Sequence, residues 1–180
     1  MKLITKFFVT VYKYIAPIKC ARLLGVTIGD KCKTFGSVNW GSEPFLITLG
    51  NHTEVSFGVT FITHDGATWC FRDEEEYRGA MKYGRIRVGN DCFIGAKSII
   101  LPGVSIGDKS IVAAGAVVAK SIPSGEVWGG GVPARFISKT SDYADKILDS
   151  SPKNVEDLKS LSRRERIIRL TDEIEKIRMQ

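Results

Sequence analysis

From Arg87 to Ser121 the apolar positions of the chain recur every six residues, at Val88, Ile94, Ile100, Ile106, Val112 and Val118. The position after each holds Gly89, Gly95, Leu101, Gly107, Ala113 or Ala119, small in all but one case. A helix face repeats about every 3.6 residues and a strand face about every 2, so this period matches neither a helix nor one long strand. It matches a coil of very short strands with a tight turn after each, and a fixed hexapeptide period is the sequence mark of a parallel β-helix. Each side of such a coil has one inward slot for an aliphatic side chain and a corner where a small residue lets the backbone turn. One turn of the coil cannot bury its apolar side chains alone, but stacked turns build a continuous core. The expected fold class is an all-β solenoid.

The same pattern divides the chain. In residues 1–24, Leu3, Ile4, Phe7, Phe8, Val11, Tyr12 and Ile15 alternate with Lys2, Lys6, Lys13 and Lys19. Their spacing predicts an amphipathic helix up to Ala16, ended by Pro17. That helix would cap the open first turn of the solenoid or lie on a membrane surface, a peripheral contact through residues 1–16. It is too short and too charged to span a bilayer or to act as a clear signal peptide. The solenoid, residues 25–137, opens at Val26-Thr27-Ile28-Gly29-Asp30. Its register slips from Trp40 to Pro44, returns at Leu49-Gly50-Asn51, Val55 and Phe61, and breaks again before Val88. An extruded loop is therefore expected over about residues 66–85, carrying Trp69, Phe71, Arg72 and the acidic run Asp73 to Glu76. Loops thrown out of a rigid scaffold commonly carry function. The run Gly129-Gly130-Gly131-Val132-Pro133 ends the regular coil. Within residues 138–180, Ser151-Pro152 reads as a helix start. Ile167, Leu170, Ile174 and Ile177 then recur at helical spacing, with Arg163, Arg164, Arg166 and Arg169 on the wet face.

Composition narrows the chemistry. A net charge of +6 over 180 residues fits a solvated basic surface. It also fits a partner with phosphates, an anionic saccharide or an acidic membrane. Nucleic acid is not expected, because no arginine-rich stripe or known binding motif is present. Cys20, Cys32, Cys70 and Cys92 contain no C-x-x-C pair, which points to reduced thiols and a cytoplasmic protein, with Cys92 packed as a small apolar residue. The chain has two histidines, His52 and His64. A zinc centre built on imidazoles takes about three, so no metal is expected and a zinc hydratase on this solenoid is disfavoured.

The hexads, the turn Thr63-His64-Asp65-Gly66 and the closing Gly131-Val132-Pro133-Ala134-Arg135 together resemble the hexapeptide-repeat acyltransferases. The likeness is to the branch of maltose, galactoside and capsular-saccharide O-acetyltransferases and covers roughly residues 26–137. It implies a left-handed parallel β-helix, a homotrimer with active sites between subunits, acetyl-CoA as donor and a saccharide acceptor. His64 matches the family's base. Ile94-Gly95-Ala96 matches its Ile-Gly-x turn, and Ala113-Ala114-Gly115 its Gly-Ala-Gly turn with Ala in first place. Ala119-Lys120 stands where the family has Thr-Lys, so a hydroxyl is missing, and Arg135 matches the closing arginine.

Acyl transfer from a thioester needs a base to take the acceptor's proton as it attacks, and neutral histidine serves at cytoplasmic pH. His52 lies in an ordinary corner, Gly50-Asn51-His52-Thr53, and reads as a surface residue. His64 opens the extruded loop. A partner must hold one of its nitrogens, and Asp65, Glu43 in the turn Gly41-Ser42-Glu43-Pro44, and a backbone carbonyl are all candidates. Ala96 and Ala114 would let a pantetheine arm lie against the coil, while Lys120 and Arg135 could meet the CoA phosphates. Trp69 and Phe71 either stack on a sugar ring or pack the loop down; Asn39 and Arg72 are further acceptor candidates. No cysteine or serine sits with a base in a recognisable arrangement, which favours direct attack over an acyl-enzyme. Two alternatives stay open: an N-acetyltransferase acting on an amino sugar, free or nucleotide-linked, and a non-catalytic assembly module.

Overall fold

The computed structural model describes residues 12, 15–152, 158 and 160–179. Most of the expected N-terminal helical segment lies outside them. Ala16 does leave helical geometry, with φ −140° and ψ 64°. Pro17 then opens a helix rather than only closing one, as the first residue of α1 (Pro17–Leu23). Its missing N–H costs nothing at that position.

Beyond α1 the chain winds into three sheets of two- to five-residue strands. The first sheet stacks β1 (Thr27–Ile28), β3 (Ile47–Leu49), β6 (Ile86–Val88) and β9 (Ser105–Ile106). The second stacks β2 (Lys33–Thr34), β4 (Glu54–Val55), β7 (Phe93–Ile94), β10 (Ile111–Val112) and β12 (Glu126–Gly129). The third stacks β5 (Thr60–Phe61), β8 (Ile99–Ile100) and β11 (Val117–Val118). All these neighbours pair in parallel, which gives a left-handed β-helix. The last strand, β13 (Arg135–Lys139), turns back antiparallel on β12 and closes the second sheet. Glu126 clasps it there, accepting from Lys139 Nζ at 2.7 Å and from Trp128 Nε1 at 2.8 Å.

Val88, Ile94, Ile100, Ile106, Val112 and Val118 are all buried, as the hexads require. The expectation of one inward slot per side needs correction. A second series, Cys92, Ser98, Val104, Ser110, Ala116 and Ile122, is buried beside the first. Its polar members answer carbonyls inside the coil. Ser98 Oγ donates to Gly95 O at 2.8 Å, Ser110 Oγ to Pro123 O at 2.9 Å and Cys92 Sγ to Gly107 O at 3.1 Å. Burial is the main cause that pushes the Cys92 thiol up. The corner between the first and second sheets is an amide ladder: Asn51, Asn90 and Asp108 each accept, through Oδ1, from the backbone N–H one turn below. His52 sits on this corner, exposed, with Nδ1 2.8 Å from Asp91 Oδ1.

The chain divides into two compact units, Met1–Thr140 and Ser141–Gln180. The residues that follow the helix start expected at Ser151-Pro152 lie largely outside the described ones; the isoleucine series falls on α3 (Arg163–Met179), after a separate helix α2 (Thr140–Asp149). Ser162 and Glu165 set the start of α3 as a capping box. Glu165 Oε2 accepts from Ser162 N at 3.0 Å, and Ser162 Oγ from Glu165 N at 3.4 Å. Arg163, Arg164, Arg166 and Arg169 are exposed, and Ile167 and Ile177 are partly so. No described helix is long and apolar enough to cross a membrane.

Candidate active site

Both irregularities of the sequence pattern fall on one corner, where the chain passes from the third sheet to the first. The earlier one, between Trp40 and β3, inserts the turn of Gly41 to Glu43 and a 3-10 turn, Pro44–Leu46. The later one, one coil turn above it, extrudes the loop between β5 and β6. Stacking of successive coil turns therefore places Glu43 beside His64. His64 Nδ1 lies 2.9 Å from Glu43 Oε2, and the Thr63 hydroxyl donates to the same oxygen at 2.5 Å.

Gly41 makes that approach possible. Its φ is +71°, and a Cβ there would lie 2.8 Å from Phe61 O and 3.2 Å from Thr63 Oγ1. Just inside, the rings of Trp40 and Phe61 stack at 5.1 Å with an interplanar angle of 7°, a flat floor under the turn. The hydrogen bond from Thr63, and then that from His64, hold the Glu43 carboxyl below its ordinary range. An ionised carboxylate only accepts, so the His64 proton belongs on Nδ1 and the Nε2 lone pair is left free.

The base of the loop is zipped antiparallel. His64 bridges Tyr83, Asp65 N donates to Lys82 O, and Gly84 N donates to Thr63 O, the last two at 2.9 Å. Asp65, the other candidate partner for His64, is turned to a different task. Its carboxylate accepts from Ala67 N at 3.0 Å, capping a 3-10 turn (Gly66–Cys70), and from Lys82 Nζ at 2.8 Å. The Lys82 bond is the main cause holding its carboxyl low. It does not share a hydrogen bond with the histidine ring, and the reading of Asp65 as its orienter is corrected accordingly.

A cavity of about 450 Å³ opens over His64, lined among others by Trp69, Arg72, Met81, Lys82 and Tyr83. The Arg72 guanidinium lies 4.3 Å over the Trp69 ring. Tyr83 packs tilted against the imidazole, ring centres 5.8 Å apart. Phe71 and Asn39 lie outside this cavity. Phe71 meets Tyr77 edge-on at 5.6 Å, pinning the loop, and Asn39 Oδ1 accepts from Gly41 N at 3.1 Å, shaping the Glu43 turn.

The residues matched to the donor lie along two corners. Ala96 and Ala114 occupy turns between the second and third sheets, Ala96 half-buried and Ala114 exposed, with Gly115 N bonded to Ala96 O at 2.8 Å. Ala119 and Lys120 follow β11 on the His64 corner, both exposed. Arg135 opens β13 opposite Gly129 and is also exposed. Among the described residues no group of His, Cys, Asp and Glu is placed to hold a metal ion.

Thr63, Met81, Lys82 and Tyr83 are site residues with no role in the sequence reading. Thr63 follows the strand alternation set by Phe61, and that parity makes it an inward polar residue in need of a partner. Tyr83 carries no comparable signal, because its place follows from how the loop returns.

Residues 85–120 match the family model described as the hexapeptide repeat of succinyl-transferase. Over 133 residues the chain is 41% identical to Protein CapG of Staphylococcus aureus, an overlap of 72% of this chain and 75% of that protein. It is 33% identical over 100 residues to galactoside O-acetyltransferase of Escherichia coli (strain K12), covering 56% of this chain and 47% of the relative. The chain thus spans three quarters of the first relative and about half of the second. A maltose O-acetyltransferase from Clostridium difficile 630 is similar in fold, with a TM-score of 0.50 at 24% identity over 67% of this chain and 73% of that one.

Proposed function

The chain belongs to the hexapeptide-repeat acetyltransferase family, and from that premise we propose that it transfers the acetyl group of acetyl-CoA to a saccharide hydroxyl. The observation that carries this reading is the His64–Glu43 pair, 2.9 Å apart, at the mouth of a cavity of about 450 Å³. The names of the galactoside and maltose O-acetyltransferases, among the proteins the chain is similar to, support the sugar acceptor.

In this mechanism His64 Nε2 takes the proton of the acceptor hydroxyl as its oxygen attacks the thioester carbonyl. The carbonyl carbon passes through a tetrahedral intermediate, the C–S bond breaks, and the imidazolium returns its proton to the departing thiolate. Glu43 steadies the positive ring while it holds that proton. Trp69 and Arg72 line the acceptor side. Ala96 and Ala114 leave the coil surface low enough for a pantetheine arm to lie along it. Lys120 and Arg135 are exposed and carry no ion pair among the described residues, which suits them to phosphates. The Ala96–Ala114 column and His64 stand on different corners of the coil, and a homotrimer would bring one chain's column to a neighbour's His64. A cytoplasmic location, where acetyl-CoA is made, completes the proposal.

The test is acetyl-CoA binding by calorimetry, followed by thiol release against a panel of methyl glycosides. Micromolar binding and glycoside-dependent release that His64→Ala abolishes are expected. Binding without any His64-dependent release would overturn the catalytic reading, and absence of binding would leave a non-catalytic module.

A further inference from the structure

Resting on the assignment of His64 and Glu43 above, we propose that Thr63 is a positioning residue, whose buried hydroxyl selects the Glu43 oxygen that orients the His64 ring. A glutamate in a surface turn has free rotation about its terminal bonds, and its two oxygens are equivalent until something distinguishes them. A single hydrogen bond from His64 does not hold it, because a carboxylate free to turn can swing away from the ring and leave Nδ1 without its acceptor. Thr63 Oγ1 and His64 Nδ1 both meet Oε2, at 2.5 and 2.9 Å. Two donors converging on one atom define a direction that one donor cannot.

The Thr63 end of this clamp is rigid. The residue is 1% exposed, so no solvent molecule can take over from its hydroxyl there. Threonine's branched β-carbon restricts χ1. The Gly41 backbone closes over it, since a Cβ at Gly41 would come within 3.2 Å of Thr63 Oγ1. Glu43 is the acceptor that this hydroxyl meets among the described residues, and a donor so buried needs one. The same bond is the largest of the contacts that keep Glu43 ionised. Thr63 touches no reacting atom in this scheme; it acts through Glu43, and the ring of the base is held at second hand.

The tautomer of His64 reads this directly. The chain has only two histidines, so ¹⁵N-labelled imidazole spectra separate them, with His52 and its Asp91 contact as an internal reference. Wild type and Thr63→Ser are expected to show His64 as the Nδ1–H form alone. Thr63→Val, which keeps the shape and loses the donor, is expected to show both tautomers, with His52 unchanged. Its acetyl-CoA hydrolysis should fall about tenfold in kcat with the KM for acetyl-CoA unmoved. Thr63→Ala provides the same loss of donor should the valine variant not fold. A wild-type His64 spectrum in both donor-less variants would overturn the role of Thr63. Glu43→Gln separates the premise: if it too leaves the tautomer and the rate at wild-type values, Glu43 does not orient His64. If Glu43→Gln is impaired and Thr63→Val is not, the Thr63 role alone is lost.

Discussion

His64 and Glu43 stand 21 positions apart in the chain and 2.9 Å apart in space, and their partnership gives the site its polarity. His64→Ala removes the side chain proposed to take the acceptor's proton, and a positioned base contributes roughly 100- to 10,000-fold. Acetyl transfer should fall by that order while calorimetric acetyl-CoA binding stays intact. Glu43 adds a pH signature whose sign follows from its partners. Thr63 first and His64 second lower its carboxyl in the folded chain, so the folded value lies below the unfolded one. Its stabilisation is therefore full above the ordinary carboxylate range and is lost as pH falls through the lower folded value. The difference in urea midpoint between wild type and Glu43→Gln should be constant near neutrality and vanish at strongly acid pH. A difference that grows on acidification would contradict the assignment. How far these residues could be read in advance differs. His64 was legible because one of only two histidines opens a loop in a regular pattern. Choosing among Glu43, Asp65 and a backbone carbonyl required knowing that two insertions share a corner, which adjacency in sequence does not reveal.

Among the elements, the strands were legible and their linings only half so. Aliphatic residues every six positions have no other economical explanation, whereas Ser98, Ser110 and Ala116 resemble turn residues until the coil is seen to bury them. The capping box Ser162–Glu165 was present as a motif and sets the start of α3, a boundary that the isoleucine spacing alone does not locate. The corners carry a sharp prediction. A Cβ at Gly95 would lie 2.5 Å from Ala114 N and 2.6 Å from Val112 O, backbone atoms that cannot swing aside. Gly95→Ala should cost about 1–3 kcal/mol, the usual range for overpacking. For a chain of this size each kcal/mol lowers the melting temperature by roughly 2–4 °C, which thermal denaturation would measure. An unchanged midpoint would mean that the corner has slack the stacking does not show. The cysteines give a second test of the inner lining. Cys70 is exposed, whereas Cys92 is buried and its thiol is pushed up by that burial. Iodoacetamide at neutral pH should label Cys70 readily in the native protein and reach Cys92 only after denaturation.

For the whole molecule, the question is whether one chain holds the whole of the proposed site. The His64 cavity lies on the corner between the third and first sheets, whereas Ala96 and Ala114 occupy the corner between the second and third, and Arg135 opens the strand that closes the second sheet. A donor lying along that second corner reaches an acceptor over His64 most simply if the two belong to different chains around a threefold axis. The solution mass should then be about three times 19.9 kDa. The stronger test mixes two inactive proteins. His64→Ala chains keep the donor side and Arg135→Ala chains keep the base, so a shared site can be rebuilt only between them. Unfolding and reassembling the two at equal amounts should restore roughly a quarter of wild-type acetyl transfer, the share that random assortment around a closed ring gives. If every site is built within one chain, each chain carries its own defect and the mixture stays as inactive as its parts.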